Sequence, residues 1–172
     1  MKNMHYGYIG LGNLGGHIAQ SLIRKGFKVT VYDLDPKLAE RHIAAGAAWA
    51  ASPKELASQV DHVFTCLPSP TVSEKVLVQI LDGLKPGGTC IENSTNGRDE
   101  MIRLAKMAEA RGIRTLEAPV TGGVHLAARG EITVLVGGEH AVFEAHRPAL
   151  EAMGGRVFYM GALGKASVIK VI

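Results

Sequence analysis

Three glycines near the start of the chain have the spacing of a phosphate-binding turn. The run Gly10-Leu11-Gly12-Asn13-Leu14-Gly15 follows an apolar segment, His5–Ile9, that is typical of a buried strand. Leu14, Ile18 and Leu22 then fall on one face of a helix. In a strand–turn–helix unit such glycines permit a tight turn, close approach to a pyrophosphate and close packing of helix on sheet. The helix N-terminus adds free N–H groups and a partial positive charge.

An acidic residue ends the next predicted strand, Lys28–Asp33. Asp33 stands 18 residues after Gly15, about where an acid meets the ribose hydroxyls of a dinucleotide. Its charge repels a 2′-phosphate, and Leu34 occupies the position near which NADP binding needs an arginine. The sequence therefore predicts NAD as cofactor, with NADP disfavoured. The alternative is a purely structural glycine turn beside a solvated acid.

Two further stretches carry groups that suit a small anionic substrate. Ala118-Pro119-Val120-Thr121-Gly122-Gly123 offers a hydroxyl and two glycines before a predicted helix, which is the composition of a backbone anion site. Lys170 lies in the last helical pattern, where a solvated lysine is the alternative to a catalytic one. Lys165 is five residues earlier and so falls on another helix face.

Composition excludes several classes of protein. The chain has 172 residues and a net charge of +3, with no run of Lys and Arg that would form a nucleic-acid face. Cys66 and Cys90 lie in separate apolar runs, which favours buried reduced thiols over a disulfide or a metal site. No apolar run approaches the roughly 20 residues that span a bilayer. We expect no metal site, no nucleic-acid partner, no membrane contact, no signal peptide and a cytoplasmic location.

Strands and helices alternate along the sequence, which predicts an α/β fold with a doubly wound, mostly parallel sheet and helices on both faces. The further predicted strands are Ala47–Ala50, Val60–Leu67, Thr89–Asn93, Ile113–Glu117, Ile132–Val136 and Arg156–Met160. The further predicted helices run from Asp35 to near Gly46, from the cap Ser52, over Thr71–Leu81, Arg98–Arg111 and Val124–Arg129, over Glu139–Met153 with a break at Pro148, and over the last residues.

Taken together and in this order, the motifs resemble the β-hydroxyacid dehydrogenase family, which includes 3-hydroxyisobutyrate dehydrogenases and tartronate semialdehyde reductases. The glycine turn resembles the family's cofactor signature, and the 118–123 stretch is similar to its substrate motif. The remaining stretches that carry the resemblance are Cys66-Leu67-Pro68, Glu92-Asn93-Ser94-Thr95, and Gly161-Ala162-Leu163-Gly164 followed by Lys170.

The resemblance implies a Rossmann-type fold and NAD-dependent hydride transfer to or from a small β-hydroxy acid. It implies that Leu67, Pro68 and Thr95 lie on the nicotinamide side of the site. It also implies that Thr121, Gly122 and Gly123 bind the substrate carboxylate, and that Lys170 is the general acid and base. Members of the family are expected to form homo-oligomers.

Two departures from the family limit these expectations. Ala166 stands where many members have a third glycine, and the all-helical domain that follows in the family is absent from this sequence. Residues 1–160 are therefore expected to form the dinucleotide-binding domain and residues 161–172 the truncated start of an interdomain helix. The sequence predicts cofactor binding with poor turnover. The alternatives are a non-catalytic NAD(P)-binding module and an imine-reductase-like enzyme, against which Lys170 argues.

Overall fold

The computed structural model describes residues 3–171, and strands and helices alternate along it as predicted. The strands are β1 (His5–Ile9), β2 (Lys28–Tyr32), β3 (Ala48–Trp49), β4 (His62–Thr65), β5 (Thr89–Glu92), β6 (Arg114–Glu117), β7 (Val120–Thr121), β8 (Ile132–Gly137) and β9 (Gly154–Gly161). The α-helices are α1 (Gly15–Arg24), α2 (Glu40–Ala44), α3 (Pro53–Gln59), α4 (Pro70–Gly83), α5 (Arg98–Glu109), α6 (Gly123–Ala128), α7 (His140–Met153) and α8 (Lys165–Val171). A 3₁₀ turn over Pro36–Ala39 leads directly into α2.

The strands form one sheet that is mostly parallel. Its parallel part has the order β3-β2-β1-β4-β5-β6. Strand β8 runs antiparallel to β6 and β7, and β9 pairs with β8 in parallel. The order reverses between β1 and β4, which are neighbours in the sheet although β2 and β3 separate them in sequence. The predicted doubly wound α/β fold is confirmed.

Each face of the sheet has its own hydrophobic core. On one face Ile18 and Leu22 of α1 pack with Phe143 and Leu150 of α7 and with the strand residue Tyr8. On the other face the buried residues come from α3, α4, α5 and alternate strand positions, and they include Leu56, Leu77, Ile80, Val63 and Leu104. Because neighbouring strand residues point to opposite faces, the same strands serve both cores.

Local signals in the sequence account for several helix ends. The Ser52 hydroxyl accepts the Glu55 N–H at 3.0 Å, and Glu55 in turn accepts the Ala51 N–H at 2.6 Å. This is the predicted capping box with one difference. The Glu55 side chain accepts the N–H of Ala51 instead of the N–H of the cap residue Ser52. Asp35 similarly accepts the Lys37 N–H at 3.1 Å ahead of the 3₁₀ turn.

The predicted break at Pro148 is wrong, because α7 runs without interruption through it. A proline inside a helix removes one N–H donor and crowds the preceding turn. Here residues on both sides of Pro148 are buried, including Phe143, Ala149 and Leu150. Packing of these side chains holds the helical backbone despite the missing hydrogen bond.

Two other segments differ from or extend the expectations. Val120 and Thr121, interpreted from sequence as loop, form β7 by pairing with Val134 and Thr133 of β8. The predicted terminal helix is present as α8. Ile172 and the side chain of Val171 lie outside the described residues.

Candidate active site

The glycine turn between β1 and α1 is crowded at both ends and open in the middle. Gly10 has a φ of +100°, and a Cβ there would lie 2.1 Å from the Cys66 carbonyl oxygen. A Cβ at Gly15 would lie 2.1 Å from the Gly10 carbonyl oxygen. A Cβ at Gly12 would meet no atom of the described residues within 4 Å. Gly10 and Gly15 thus have no room for a side chain, whereas Gly12 leaves space for a ligand to reach the backbone.

The N-terminus of α1 lies directly behind this open position. Its N-cap is Leu14, whose apolar side chain cannot accept a hydrogen bond from the first N–H groups of the helix. The next two residues, Gly15 and Gly16, carry no side chain that would cover these groups. The Gly16 N–H already donates to the Gly12 carbonyl at 2.8 Å, so the helix end favours a bound anion mainly through its partial positive charge.

The Asp33 carboxylate is fixed at the end of β2 by two backbone donors. One oxygen accepts the Leu11 N–H at 2.8 Å, and the other accepts the Asp35 N–H at 2.9 Å. The first bond ties the acid directly to the glycine turn. Each carboxylate oxygen retains a lone pair for a further donor, such as a ribose hydroxyl.

A cavity of about 700 Å³ lies at the carboxyl ends of β1, β2, β4 and β5, where the strand order reverses. Ligands of open α/β sheets bind at this location, and the volume is within the range of roughly 300 to 1,000 Å³ of small-molecule sites. The lining residues are Ile9, Gly10, Gly12, Asn13, Leu14, Gly15, Tyr32, Asp33, Leu34, Cys66, Leu67, Pro68, Val72, Val76, Asn93, Ser94, Thr95, Val120 and Lys170.

Most of the residues selected from sequence meet at this cavity. Those that line it are Gly10, Gly12, Asn13, Leu14, Gly15, Asp33, Leu67, Pro68, Thr95 and Lys170. Leu11 is buried beneath the turn and contributes through its N–H bond to Asp33. Thr121, Gly122 and Gly123 are exposed and do not line the cavity. Of the 118–123 stretch, Val120 is the residue that lines it.

Hydrogen bonds between loops hold the part of the cavity that follows β4 and β5. The Leu67 N–H donates to the Ser94 hydroxyl at 2.6 Å. The buried Asn93 accepts the Tyr8 hydroxyl at 2.9 Å and donates to the Ala118 carbonyl at 2.7 Å. Asn93 therefore links β1, β5 and the segment after β6, and it fixes the wall of the cavity that it lines.

The acid and the thiol behind these loops both have raised pKa values. Burial raises the pKa of Glu92, although hydrogen bonds from Ser94 and Thr65 act in the opposite direction. Burial, together with the neighbouring Glu92, raises the pKa of the Cys66 thiol to about 12. Cys66 is half-buried and lines the cavity, unlike the fully buried Cys90. As a neutral thiol it is a poor nucleophile, so this thiol is an apolar contact rather than a reactive group.

Lys170, on α8, lines the cavity although it is far from the glycine turn in the sequence. It is half-buried, whereas Lys165 at the start of the same helix is exposed and outside the lining. This difference follows the predicted helix faces. An amine on the surface of a cavity that also holds a phosphate-binding turn is placed to exchange protons with a bound ligand.

Sequence reasoning did not select several lining residues. Val72 and Val76 come from one face of α4, and Tyr32 and Leu34 flank Asp33. The exposure of Leu34, which is 88%, becomes apparent only in the structure. The valines resemble ordinary core residues in sequence, and α4 does bury Val76.

Within residues 3–171, no group of three or more His, Cys, Asp or Glu side chains is arranged to hold a metal ion. The helices of the same range include none that is long and apolar enough to cross a membrane.

The geometry defines a dinucleotide-binding domain of the Rossmann type, and comparison with known families agrees. Residues 5–161 match the family described as the NAD binding domain of 6-phosphogluconate dehydrogenase. The chain belongs to this family. The resemblance inferred from the motifs is thereby confirmed at the level of the family.

Two of the curated relatives that the chain matches are dehydrogenases by name. Mouse (Mus musculus) mitochondrial 3-hydroxyisobutyrate dehydrogenase is 37% identical over 168 residues, which cover 96% of this chain and 50% of that protein. The 2-(hydroxymethyl)glutarate dehydrogenase of Eubacterium barkeri is 30% identical over 174 residues, which cover 99% of this chain and 58% of the relative. The chain thus spans about half the length of the curated relatives it matches.

A solved structure gives the same result in three dimensions. The structure of Mycobacterium tuberculosis 3-hydroxyisobutyrate dehydrogenase with L-serine superposes with a TM-score of 0.94 at 31% identity. The match covers 98% of this chain and 58% of that one.

Proposed function

We propose that this chain binds NAD and supplies part of the active site of an oxidoreductase. The reaction is hydride transfer between nicotinamide and a small β-hydroxy acid or its semialdehyde. The observation that supports this most is the cavity lined at once by the glycine turn, Asp33 and Lys170. A phosphate-binding turn with an acid at the next strand end suits a dinucleotide, and an amine in the same cavity suits proton exchange with an alcohol.

The residues of the cavity fit a dinucleotide that lacks a 2′-phosphate. The space beside Gly12 admits a pyrophosphate to the backbone and to the helix N-terminus. The Asp33 carboxylate has lone pairs left for ribose hydroxyls, and its charge repels a phosphate at the same place. Leu34 offers no cation that would offset this repulsion. We therefore propose NAD as the preferred cofactor.

Lys170 is proposed as the general acid and base. The bound nicotinamide supplies or accepts the hydride. In the direction of reduction, the Lys170 ammonium donates a proton to the substrate oxygen as it gains negative charge. In the direction of oxidation, the neutral Lys170 amine accepts the hydroxyl proton.

The substrate carboxylate is proposed to bind Thr121, Gly122 and Gly123 through a hydroxyl and backbone N–H groups. These residues are exposed and follow Val120, which lines the cavity. The names of the two curated relatives support the substrate class, since 3-hydroxyisobutyrate and 2-(hydroxymethyl)glutarate each carry a hydroxyl on the carbon β to a carboxylate.

We further propose that residues 1–160 act as the dinucleotide-binding domain and that residues 161–172 begin an interdomain helix. Hydride transfer needs a closed site from which water is excluded. The half-length coverage of the relatives supports the view that this chain alone binds cofactor but turns over poorly. That a full-length form is a homo-oligomer is also proposed, and this rests on the family resemblance. The cytoplasmic location stays a prediction that fractionation of cells can test.

The proposal is tested by titrating the chain with NADH and NADPH and following nicotinamide fluorescence. We expect saturable binding of NADH and weaker binding of NADPH, and tighter NADPH binding would overturn the cofactor assignment. A panel of small semialdehydes then tests turnover. Rates comparable to those of a full-length relative would contradict the proposed division of the active site.

A non-catalytic NAD-binding module is the second candidate, and the exposure of Thr121, Gly122 and Gly123 favours it. The two candidates differ in what a β-hydroxy acid does to the NADH complex. A catalytic site binds the acid and changes the nicotinamide fluorescence, and replacing Lys170 by Met alters this response. A pure module gives no response. An imine-reductase-like function is disfavoured because Lys170 occupies the position at which those enzymes usually have another residue.

A further inference from the structure

Glu117 is a buried carboxylate that the proposed chemistry does not use. It ends β6, is 1% exposed and directly precedes the 118–123 stretch. Within residues 3–171 it forms no ion pair with Lys, Arg or His. A buried carboxylate without a cation is costly unless hydrogen bonds to the charged form replace the lost water. Its partners therefore indicate what it does.

Among the described residues, the hydrogen-bond donors to Glu117 lie at the start of α8 or just before it. The Gly164 N–H donates to Oε2, while the Ser167 N–H and the Ser167 hydroxyl both donate to Oε1 at 2.5 Å. Gly164 and Ser167 are themselves buried. One carboxylate thus satisfies two of the free N–H groups that every helix leaves at its N-terminus, and its negative charge is favourable at that end of the helix dipole.

The anchored helix is the one that carries Lys170. Ser167 is three residues before Lys170, so their side chains lie on neighbouring positions one turn apart. The described part of α8 has 7 residues, and a segment of this length is not stable as a helix in water without tertiary contacts. Val168 and Ile169 are 38% and 44% exposed, so they add little packing. The bonds to Glu117 and the buried Ala166 and Ser167 therefore contribute to holding the helix against the sheet.

The surroundings of Glu117 are shaped to admit its carboxylate. Gly137 faces Glu117 across the β6–β8 pairing, and a Cβ at Gly137 would lie 2.8 Å from Oε2. The next residue, Ala118, accepts the Asn93 amide that fixes the wall of the cavity. Glu117 therefore connects two parts of the proposed site. It directly precedes the 118–123 stretch, and its hydrogen bonds hold α8, which carries Lys170.

We propose that Glu117 is a positioning residue that acts through α8 to hold Lys170 in the cavity. The consequence for catalysis rests on the proposed function. The positioning itself is a property of the folded chain and can be measured without turnover. Breaking the bonds from α8 to Glu117 should free Lys170 while leaving the glycine turn and Asp33 unchanged.

The test compares Glu117→Gln with wild type by amide hydrogen exchange and by lysine acylation. Gln keeps the size but presents an NH₂ group to the N–H donors of α8. We expect amides of α8 to exchange at least tenfold faster. We also expect the acylation rate of Lys170 relative to Lys165, read by mass spectrometry, to rise at least threefold. Lys165 is an internal reference because it is already exposed on the same helix.

Glu92→Gln is the matched control. Glu92 is also a buried carboxyl, pairs with Glu117 in the β5–β6 register and bonds to Ser94 rather than to α8. It should leave α8 exchange and the Lys170 to Lys165 ratio unchanged. If Glu117→Gln does not fold, Ser167→Ala decides, because it removes one bond and should speed α8 exchange severalfold.

The positioning role would be overturned if Glu117→Gln left both the α8 exchange and the Lys170 acylation unchanged. If Glu117→Gln does not fold, unchanged α8 exchange in Ser167→Ala would overturn it. Equal effects of Glu92→Gln and Glu117→Gln would overturn it as well, because general loosening would then explain both. NADH titration of the same samples separates this outcome from the proposed function. Failure of wild type to bind NADH would contradict the function and leave the α8 result intact, whereas Glu117→Gln should bind NADH within twofold of wild type.

Discussion

Glycines of one motif have different tasks at the scale of single residues. Gly10 requires a positive φ and has no room for a Cβ, whereas Gly12 has room for a Cβ in the absence of ligand. Alanine at the two positions should therefore have opposite consequences. Gly10→Ala should destabilise the fold by roughly 2 kcal/mol or more, since it combines backbone strain with a backbone clash.

Gly12→Ala should leave stability within about 1 kcal/mol of wild type, because its Cβ meets open space. It should nevertheless weaken NADH binding at least tenfold, since the Cβ occupies the space proposed for the pyrophosphate. Urea unfolding and fluorescence titration measure the two effects on the same samples. Normal NADH affinity in Gly12→Ala would mean that the cofactor does not approach the backbone there.

The spacing of these glycines was readable from sequence, as was Asp33, because both depend on neighbours along the chain. The role of Leu11 was only partly readable. It was selected as a cofactor contact, yet its side chain is buried and its N–H binds Asp33. Glu117 was not selected as a site residue at all, since the residues it contacts lie 47 and 50 positions away and no local pattern marks such a pairing.

Elements of structure were predicted well where the deciding interactions are local. The Ser52 cap and the helix after it need only nearby residues, and the strand before the glycine turn is marked by its own continuous buried run. Strand β7 was missed because it exists only by pairing with β8. The break expected at Pro148 failed for the related reason that burial of α7 outweighs a local preference.

The tie between β2 and the glycine turn yields a prediction on cofactor choice. Asp33→Asn removes the charge that repels a 2′-phosphate but keeps one carbonyl oxygen as acceptor. We expect the preference for NADH over NADPH to fall at least tenfold, mainly through tighter NADPH binding. Fluorescence titration with both cofactors measures the ratio.

Asp35→Asn is the matched control for that change. It alters the net charge equally, two residues away, at an exposed position outside the cavity lining. The cofactor ratio should then stay at the wild-type value. Equal shifts in both variants would show that long-range charge, rather than the position of Asp33, sets the preference.

Considered as a whole, the molecule has its proposed chemistry at one end of the sheet and a buried histidine at the other. His146 of α7 bonds to the Tyr6 hydroxyl at 2.7 Å and to the Thr89 hydroxyl at 3.2 Å. Tyr6 and Thr89 lie at the amino ends of β1 and β5. Burial, with smaller contributions from nearby His62 and Arg114, lowers the pKa of His146 to about 3.

This depressed pKa predicts acid sensitivity of the fold. Above pH 6.5 His146 is neutral in both the folded and the unfolded chain, so its contribution to stability is fully present. As the pH falls from 6.5 towards 3, only the unfolded chain takes up the proton, and stability is lost. Between pH 7.5 and pH 5 the loss due to this group should be about 2 kcal/mol.

His146→Gln removes the titrating group, so its free energy of unfolding should fall less over the same pH range, although the variant starts from a lower value. His125→Gln, at an exposed position, should keep the wild-type pH dependence. Urea unfolding at the two pH values provides the measurement. A fall in His146→Gln as large as in wild type would assign the acid sensitivity to other groups, His62 among them.

The order of the cavity residues along the chain also sets the order in which they are synthesised. Synthesis delivers the glycine turn, Asp33 and β4 early, and these already lie side by side in the sheet. Lys170 is made after the other residues that line the cavity, and we propose that its helix is anchored by Glu117 at the end of β6. During translation, then, we expect a chain still on the ribosome to offer a dinucleotide its phosphate and ribose contacts before Lys170 has been made.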